Sequence, residues 1–425
     1  MTPTKFQTLI DASVLEIGDG YRAKNEELGG DGYLFLRAGH VSDTHISFEG
    51  VERFRREVND KLQIKLSKAG DTVITTKGNS TGRTAFVTED MPTFVYSPHL
   101  SYWRSRDPEQ IENGFLRYWS RGDEFQDQLD GMSESTDMAP YLSLTDQRRL
   151  KITLPSITDQ RAIARVLGAL DDKIELNRRL NRSLEELAQA VFRSWFVDFD
   201  PVTAKASGRP PVGLDPATAA LFPDHFQDSE LGEIPKGWEV RRIGSYANNH
   251  DSKRKPVKES DRVPGPFPYY GASGIVDYVN DSIFDGEYLL IAEDGENLRT
   301  QNTPIAFLAT GKFWVNNHAH ILSGPTVGVT RFLLFVLRGI DIGGFLTGST
   351  MPKLSQQNMN QIAFVKPPDR LLSAFGVVIN GMFDRIHLNE RESATLAAAR
   401  DALLPPLLSG ELRIPDAERF VEQAL

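Results

Sequence analysis

The chain of 425 residues has no cysteine. That excludes disulfides, thiolate metal sites and cysteine nucleophiles, and it suits a reducing compartment, so a cytoplasmic protein is expected. Long apolar runs are missing too. The longest, residues 332–337 beside Arg331, is far short of the roughly 20 residues needed to cross a bilayer. Residues 1–6 hold no signal-peptide core, and no membrane partner is expected. Positive charge is not in excess: 48 Lys and Arg face 58 Asp and Glu, a net charge of -10, which by itself argues against a nucleic-acid partner. Two catalytic signatures are also absent. Gly311-Lys312-Phe313 lacks the upstream glycine and the Ser/Thr of a phosphate-binding loop, and no Asn/Asp-Pro-Pro-Tyr stretch is there to hold a flipped base. Neither an ATP motor nor a base-methylating centre is expected in this chain.

What the chain does have is a long internal repeat. Pro140, Leu142, Ser143, Pro155, Ala162, Val166, Asp172, Ile174, Leu176, Asn177, Leu184 and Ala190 recur, without a gap, 212 residues later as Pro352, Leu354, Ser355, Pro367, Ala374, Val378, Asp384, Ile386, Leu388, Asn389, Leu396 and Ala402. The repeated unit reads as a polar loop, a strand running into proline, then a long helix. A period this long means two copies of a domain rather than a solenoid.

Strand texture fills residues 1–153, with Tyr33-Leu-Phe-Leu-Arg, Asp71-Thr-Val-Ile-Thr-Thr and Arg83-Thr-Ala-Phe-Val as candidates. It returns over 231–366 in Glu287-Tyr-Leu-Leu-Ile-Ala, Ile305-Ala-Phe-Leu-Ala and Lys312-Phe-Trp-Val. Helical periodicity occupies 154–200, where Ile163, Val166, Leu167, Leu170, Ile174, Leu180, Leu184, Leu187 and Val191 make one stripe. Thr158 is the expected cap. Phe375, Val378, Ile379, Met382, Ile386, Leu396 and Leu403 make a second stripe over 367–410, expected to stop at Pro405-Pro406, with 411–425 as a tail. Residues 201–230, rich in Gly and Pro, read as a linker. The expected fold is therefore α+β: two mainly β heads, each followed by a long helix. The two helices are expected to pair as an antiparallel, pseudo-twofold coiled coil. Asn177 and Asn389, at matching a positions, would fix its register. The alternative is an asparagine on the exposed flank of a helix that packs on its own head.

At Leu154-Pro-Ser-Ile-Thr-Asp-Gln-Arg-Ala-Ile-Ala-Arg-Val-Leu-Gly-Ala-Leu-Asp-Asp-Lys-Ile-Glu-Leu-Asn177 the chain resembles the central conserved region of type I restriction-modification specificity subunits. Trp195-Phe-Val-Asp-Phe-Asp-Pro, Ile234-Pro-Lys-Gly-Trp-Glu-Val, Gly348-Ser-Thr-Met-Pro-Lys-Leu and Leu404-Pro-Pro-Leu-Leu-Ser-Gly-Glu-Leu extend the resemblance over the whole chain. Three places depart from the pattern: Asp159 replaces the usual glutamate, Lys366-Pro-Pro-Asp-Arg-Leu-Leu opens the second copy, and Asp137-Met-Ala-Pro-Tyr-Leu-Ser lacks the Ser-Thr and Lys of Gly348–Lys353. The resemblance implies a non-catalytic subunit with two target-recognition domains, each reading one half of a bipartite duplex DNA sequence. The helices would act as a ruler and dock two modification (methyltransferase) subunits. S-adenosylmethionine would then sit on the modification subunits, and ATP and Mg on restriction subunits that translocate and cleave; none belongs to this chain.

Charge is unevenly placed: residues 236–262 carry eight Lys/Arg against four Asp/Glu, while 215–233 carry five acids and no base. Lys77-Gly-Asn-Ser-Thr-Gly-Arg83 offers two cations, small donors and glycines that permit close backbone approach, with Lys77, Asn79, Ser80 and Arg83 as candidate DNA contacts. The same heptapeptide would serve equally as a plain turn. Its counterpart Asp294-Gly-Glu-Asn-Leu-Arg299 is acidic, with Asn297 and Arg299 as candidate base readers. Lys253, Arg254 and Lys255 form the densest basic patch. Ser349, Thr350 and Lys353 sit in a glycine loop that would otherwise be a tight turn. Arg104 and Arg106 follow Tyr102-Trp103, aromatics expected in a core. Asn316-Asn-His318-Ala-His320 suggests a metal, but a third ligand is missing, so polar core or DNA contact is favoured. Two other functions are open: a stand-alone metal-dependent nuclease using Asp224, Asp251 and Lys253, and a protein-binding scaffold.

Overall fold

The computed structural model describes residues 2–42, 45–133, 141–301 and 303–425. The chain divides into two compact units, Met1–Arg178 with Glu390–Leu425, and Arg179–Asn389. Each unit holds one mainly β head and a portion of each of two long helices, Ile157–Phe196 and Asp369–Ser409. The sequence departure at residues 137–140 lies outside the described residues.

In the first unit, strands Leu15–Asp19, Leu100–Ser105, Thr72–Thr75 and Thr84–Phe86 form an antiparallel sheet in that order. Thr72-Val-Ile-Thr75 is buried at every position, which a β-branched run tolerates because successive side chains enter opposite layers. Val73 joins Tyr96, Leu100 and Tyr102 on one side; Ile74 joins Phe6, Trp103 and Trp119 on the other. Strand Thr4–Lys5 closes on Lys151–Ile152 just before the first long helix.

In the second unit the sheet order is Asn248–Asn249, Ala319–Ser323, Phe284–Ala292, Ala306–Val315, Pro264–Gly271, Gly274–Val279. All neighbours are antiparallel except Pro264–Gly271 beside Ala306–Val315. The apolar run at Arg331 is a helix, Val327–Gly339, buried from Gly328 to Leu337. Such all-round hydrophobicity belongs to a core helix. Strand Glu239–Arg242 closes on Ala363–Lys366 just before the second long helix, as its counterpart does in the first unit. The repeated serines behave alike: Ser143 accepts from the Asp146 amide (3.1 Å) and Ser355 from the Asn358 amide (3.2 Å), each capping a short helix.

Within each unit the two long helices run antiparallel. In the first, Asp171 meets Arg400 (2.5 Å) and Asn177 meets Glu392 (2.8 Å). In the second, Asn181 meets Asn389 (2.7 Å), and Phe196 packs edge-on against Phe375 (ring centroids 4.9 Å apart). Asn177 also reaches Ser393 (3.3 Å). Residues 177 and 389, and likewise 181 and 393, are repeat equivalents, so the same polar pairing occurs once in each unit. Both Asn177 and Asn389 are buried, not on an exposed flank.

Several sequence expectations are corrected. The first stripe holds from Ile163 to Ile174, but Leu180 and Leu187 are exposed while Ala188, Phe192, Trp195 and Phe196 are buried. Aromatic partners on the second helix and on the core helix take that face. Ser156, not Thr158, accepts from the Asp159 amide at the helix start. The second helix passes through Pro405-Pro406 to Ser409, because Leu404 and Leu407 bury against the first head's core and offset the lost hydrogen bonds. Residues 411–425 are no loose tail: helix Ile414–Ala424 sets Ala417 and Val421 into that core. The 201–230 segment is folded as well. Val202 and Phe222 enter the second head's core, and Phe222 packs edge-on to Trp195 at 5.3 Å. The second long helix reaches a mean hydropathy of 1.2 over 18 residues; in the second unit Phe375, Ile379 and Phe383 account for this by burial in the core.

Candidate nucleic-acid interface

Both heads build their loops on one backbone pattern. In the first unit the strand Thr72–Thr75 runs into Thr76, whose amide donates to the His99 carbonyl (2.9 Å) and whose carbonyl accepts from the Leu142 amide (2.9 Å). In the second, Phe284–Ala292 runs into Glu293, whose amide donates to the His318 carbonyl (2.9 Å) and whose carbonyl accepts from Leu354 (2.8 Å). The next residues, Lys77 and Asp294, bridge Tyr141 and Lys353. The 77–83 and 294–299 loops therefore leave their sheets from equivalent points.

The 77–83 loop is tight. Thr75 Oγ1 donates to the Ser80 carbonyl and accepts from the Arg83 amide (3.1 Å), and the Gly82 amide donates to Thr75 (2.9 Å). Gly82 has φ +92°, a left-handed backbone that favours glycine, and a Cβ there would push on Leu129 Cδ2 at 2.2 Å. Lys77, Asn79 and Arg83 are exposed and Ser80 is half-buried. Arg104, by contrast, is buried against the Asp71 carboxylate (2.5 and 2.7 Å) beside Tyr96, so that cation serves the core together with its aromatic neighbours.

In the second head four separated segments meet at the same end of the sheet. Arg254 donates to Glu293 (2.6 Å) and to the Ala319 carbonyl (2.9 Å). Lys353 Nζ lies 3.2 Å from Glu293, and His318 Nδ1 lies 2.9 Å from Asp294. The 347–353 loop is closed by paired backbone bonds between Thr347 and Lys353 (2.9 and 2.8 Å). Gly348 has φ +85°, and a Cβ there would lie 2.2 Å from the Met351 carbonyl. Ser349 and Thr350 are exposed at its tip, and Lys253 and Lys255 are exposed beside it in sequence to Arg254. Burial would raise the Glu293 pKa, but the hydrogen bond from Arg254, the charge of His320 and the Lys353 contact hold it below the usual range. The acidic character that the sequence gives this end is thus neutralised locally.

Three candidates stand differently from their sequence reading. Arg254 points inward and is ion-paired, so the exposed basic patch is Lys253 and Lys255 without it. Asn297 commits both ends of its amide to Thr303, donating to its carbonyl (2.9 Å) and accepting from its amide (3.0 Å). Arg299 forks onto Glu296 (2.9 Å to each oxygen) at the surface. In this geometry Asn297 shapes its loop, and Arg299 must leave Glu296 before it can read a base.

The sequence reading missed the roles of Glu293 and Asp251, because their partners lie 39 and 69 residues away. It also missed the 271–274 turn, which lies at this end, where the Asn316 amide donates to the Tyr270 carbonyl (3.0 Å) and Ser273 is exposed. His320 is polar core: it faces Asp251 and the Leu354 carbonyl. Asp251 is thereby committed, and Asp224 pairs with His225 (2.5 Å) on the surface. Among the described residues no group of three or more His, Cys, Asp or Glu is arranged to hold a metal ion, so nothing supports the nuclease alternative.

The sequence matches the type I restriction modification DNA specificity domain over residues 12–186 and 235–370, one stretch in each half of the repeat. It is 25% identical over 297 residues to the MjaIX specificity subunit of Methanocaldococcus jannaschii, covering 65% of this chain and 64% of that one, less than two thirds of the relative's length. It is 23% identical over 410 residues to the HindI specificity subunit of Haemophilus influenzae, covering 82% and 88%. The crystal structure of the S subunit of a type I restriction-modification system from M. genitalium shares the fold, with a TM-score of 0.52 at 15% identity over 96% of this chain and 95% of that one. The chain belongs to the type I restriction-modification DNA specificity family.

Proposed function

We propose that the chain is a non-catalytic DNA-recognition subunit of a type I restriction-modification complex, reading a bipartite duplex with one half-site per head. The observation that carries this is the double family match, one stretch per head, together with two sets of polar loops rooted on the same backbone pattern. In the first head Lys77 and Arg83 contact phosphates, and Asn79 and Ser80 reach base edges; in the second Lys253, Lys255 and Lys353 contact phosphates around Ser349 and Thr350. Modification subunits, bringing S-adenosylmethionine, dock on the long helices. The support for docking is the exposed apolar residues these helices carry: Leu176 in the first unit, and Leu180, Leu187, Val377 and Leu388 in the second. Restriction subunits would bring ATP and Mg, and the cytoplasm, where host DNA lies, is the proposed location.

Binding of the reconstituted complex to random duplex DNA at a series of salt concentrations tests this reading. The expected result is a steep salt dependence that flattens in the Lys77→Glu/Arg83→Glu and Lys253→Glu/Lys255→Glu variants. Salt-independent binding, or none, would favour the protein-scaffold reading instead.

A further inference from the structure

Strand Ala363–Lys366 leads from the second head into its long helix, and Glu239–Arg242 pairs with one edge of it. The Ile243 amide donates to the Ile362 carbonyl (3.0 Å). That bond sets the alternation of the ladder: Phe364 and Lys366 bond Arg241 and Glu239, whereas Ala363 and Val365 turn their N–H and C=O groups the other way. The first head has the same arrangement 212 residues earlier, where the Phe6 amide donates to the Leu150 carbonyl (2.8 Å) and Lys151 faces outward. There the outward groups are covered. The Gln128 carboxamide accepts from the Lys151 amide (2.8 Å) and donates to its carbonyl (2.8 Å), and Glu124 accepts from the Thr153 amide (3.1 Å). In the second head no described residue bonds the outward groups of Ala363 and Val365, the repeat equivalents of Lys151 and Thr153. Both residues are only half-buried. An unpaired strand edge of this kind is a template for another strand.

The same edge lines a cleft of about 470 Å³, walled by Phe196 of the long helix and by Phe332 and Val336 of the core helix. Val197, Leu231 and Asp341, all exposed, stand at its mouth. A donor and an acceptor side by side next to an apolar cavity fit a peptide backbone, which supplies what the Gln128 carboxamide supplies in the first head and brings a side chain to fill the cavity. Charge narrows the occupant further. Leu231 belongs to the stretch 215–233, with five acids and no base. Arg242, the cation lining the cleft, is already forked onto Glu230 (3.1 Å to each oxygen). Among the described residues Asp341 is bonded only by the Gly343 amide (2.8 Å). The rim therefore has carboxylate to spare. We propose that the second head carries a docking cleft for an extended segment of a partner protein, which adds as a strand along Ala363–Val365, seats one large apolar side chain against Phe196 and Val336, and meets the acidic rim with a flanking Lys or Arg. The first head has no such site, because Gln128 and Glu124 close its edge.

The test is selection of random peptides displayed on phage against the full chain, followed by titration of the enriched sequences as free peptides. They should share one large apolar residue with Lys or Arg beside it. Methylating alternate backbone nitrogens of such a peptide should weaken binding by about tenfold or more in one register and leave it unchanged in the other, because only every second amide of an added strand faces the edge. Val365→Pro removes one outward N–H and keeps the bonds of Phe364 and Lys366 to their partners; it should also weaken binding by about tenfold. Asp341→Asn, which can still accept from Gly343, should weaken the basic peptides selectively and make their binding less dependent on salt. If melting shows that Val365→Pro does not fold, Leu231→Lys at the exposed mouth takes its place, with the same loss expected. The proposal is overturned if no peptide is enriched, if the enriched peptides are acidic, if both methylated registers bind alike, or if binding survives Val365→Pro or its replacement. None of these readouts involves DNA, so the result stands apart from the recognition reading.

Discussion

At the end of its central strand the first unit carries Thr76 followed by Lys77; at the corresponding place the second carries Glu293 followed by Asp294. The backbone bonds around the two positions are the same, down to a histidine carbonyl on one side and a leucine amide on the other. Above that shared base the chemistry is opposite. The first loop shows its cations to solvent, whereas the second surrounds its carboxylates with Arg254, Lys353 and His318. The helix pairs differ in the same way. In the first unit Asp171 is buried among Arg117, Arg121 and Arg400, with the Tyr118 hydroxyl donating to it. At the repeat-equivalent positions the second unit holds Phe383 in place of Asp171 and Ala188 in place of Arg400, both buried. The repeat therefore preserves backbone pairing and the two asparagines while letting charge diverge, as the proposed reading of two different half-sites requires.

The largest effect is expected where that contrast is strongest. Asp171→Asn removes the carboxylate that Arg117, Arg121 and Arg400 share, leaving Arg400 to the exposed Asp401, and should cost the first unit about 3–5 kcal/mol. Denaturant unfolding should register the loss, with hydrogen exchange locating it in the first unit. Burial would raise the Asp171 pKa, but Arg117, Arg121 and Arg400 hold it below the usual range. Its contribution is therefore present above the ordinary aspartate pKa and lost as pH falls through the depressed one. Asp171→Asn should flatten the acid limb of the stability profile. An unchanged limb would mean that the cluster is not what distinguishes the two helix seams.

Next in size is the response of DNA affinity to charge reversal. Lys77→Glu with Arg83→Glu should weaken duplex binding by about 100-fold at low salt and reduce the salt slope by about two. Lys253→Glu with Lys255→Glu should do the same through the second head. Arg254→Glu should differ in kind: it places a carboxylate against Glu293, so melting temperature falls along with affinity.

Gly348→Ala follows. It forces a side chain into a left-handed backbone and against the Met351 carbonyl, at a cost of about 1–3 kcal/mol. The second half-site should be read less sharply while the first is unaffected. The smallest effect is expected at the helix asparagines, where Asn177→Ala and Asn389→Ala each remove a buried amide and its hydrogen bonds across the helix pair, about 1–2 kcal/mol. Equal losses would support the pseudo-symmetric pairing. A loss at only one position would limit the register role to that unit.

Much of this architecture was legible in the sequence because it depends on local periodicity and on a repeat. The stripe from Ile163 to Ile174, the strand runs at residues 72–75 and 287–292, and the paired asparagines all fell where expected. What was not legible depended on distant partners. Nothing local to Lys253-Arg-Lys255 reveals that its middle residue turns inward, since Glu293 supplies the reason. Pro405-Pro406 reads as a helix stop until Leu404 and Leu407 are seen in the core. Gly and Pro made residues 201–230 look like a linker, although Val202 and Phe222 anchor the segment. His318-Ala-His320 hinted at paired ligands, but His318 lies in the turn before the strand, against Asp294, while His320 on strand Ala319–Ser323 enters the core.

The central claim is that each head reads its own half-site. It is tested most directly by replacing residues 1–150 with the corresponding head of a family relative and mapping the sequences methylated by the complex formed with the modification subunits. The account predicts that one half of the recognised sequence changes and the other stays as it was. Simultaneous change of both halves, or of neither, in a folded and active complex would contradict it.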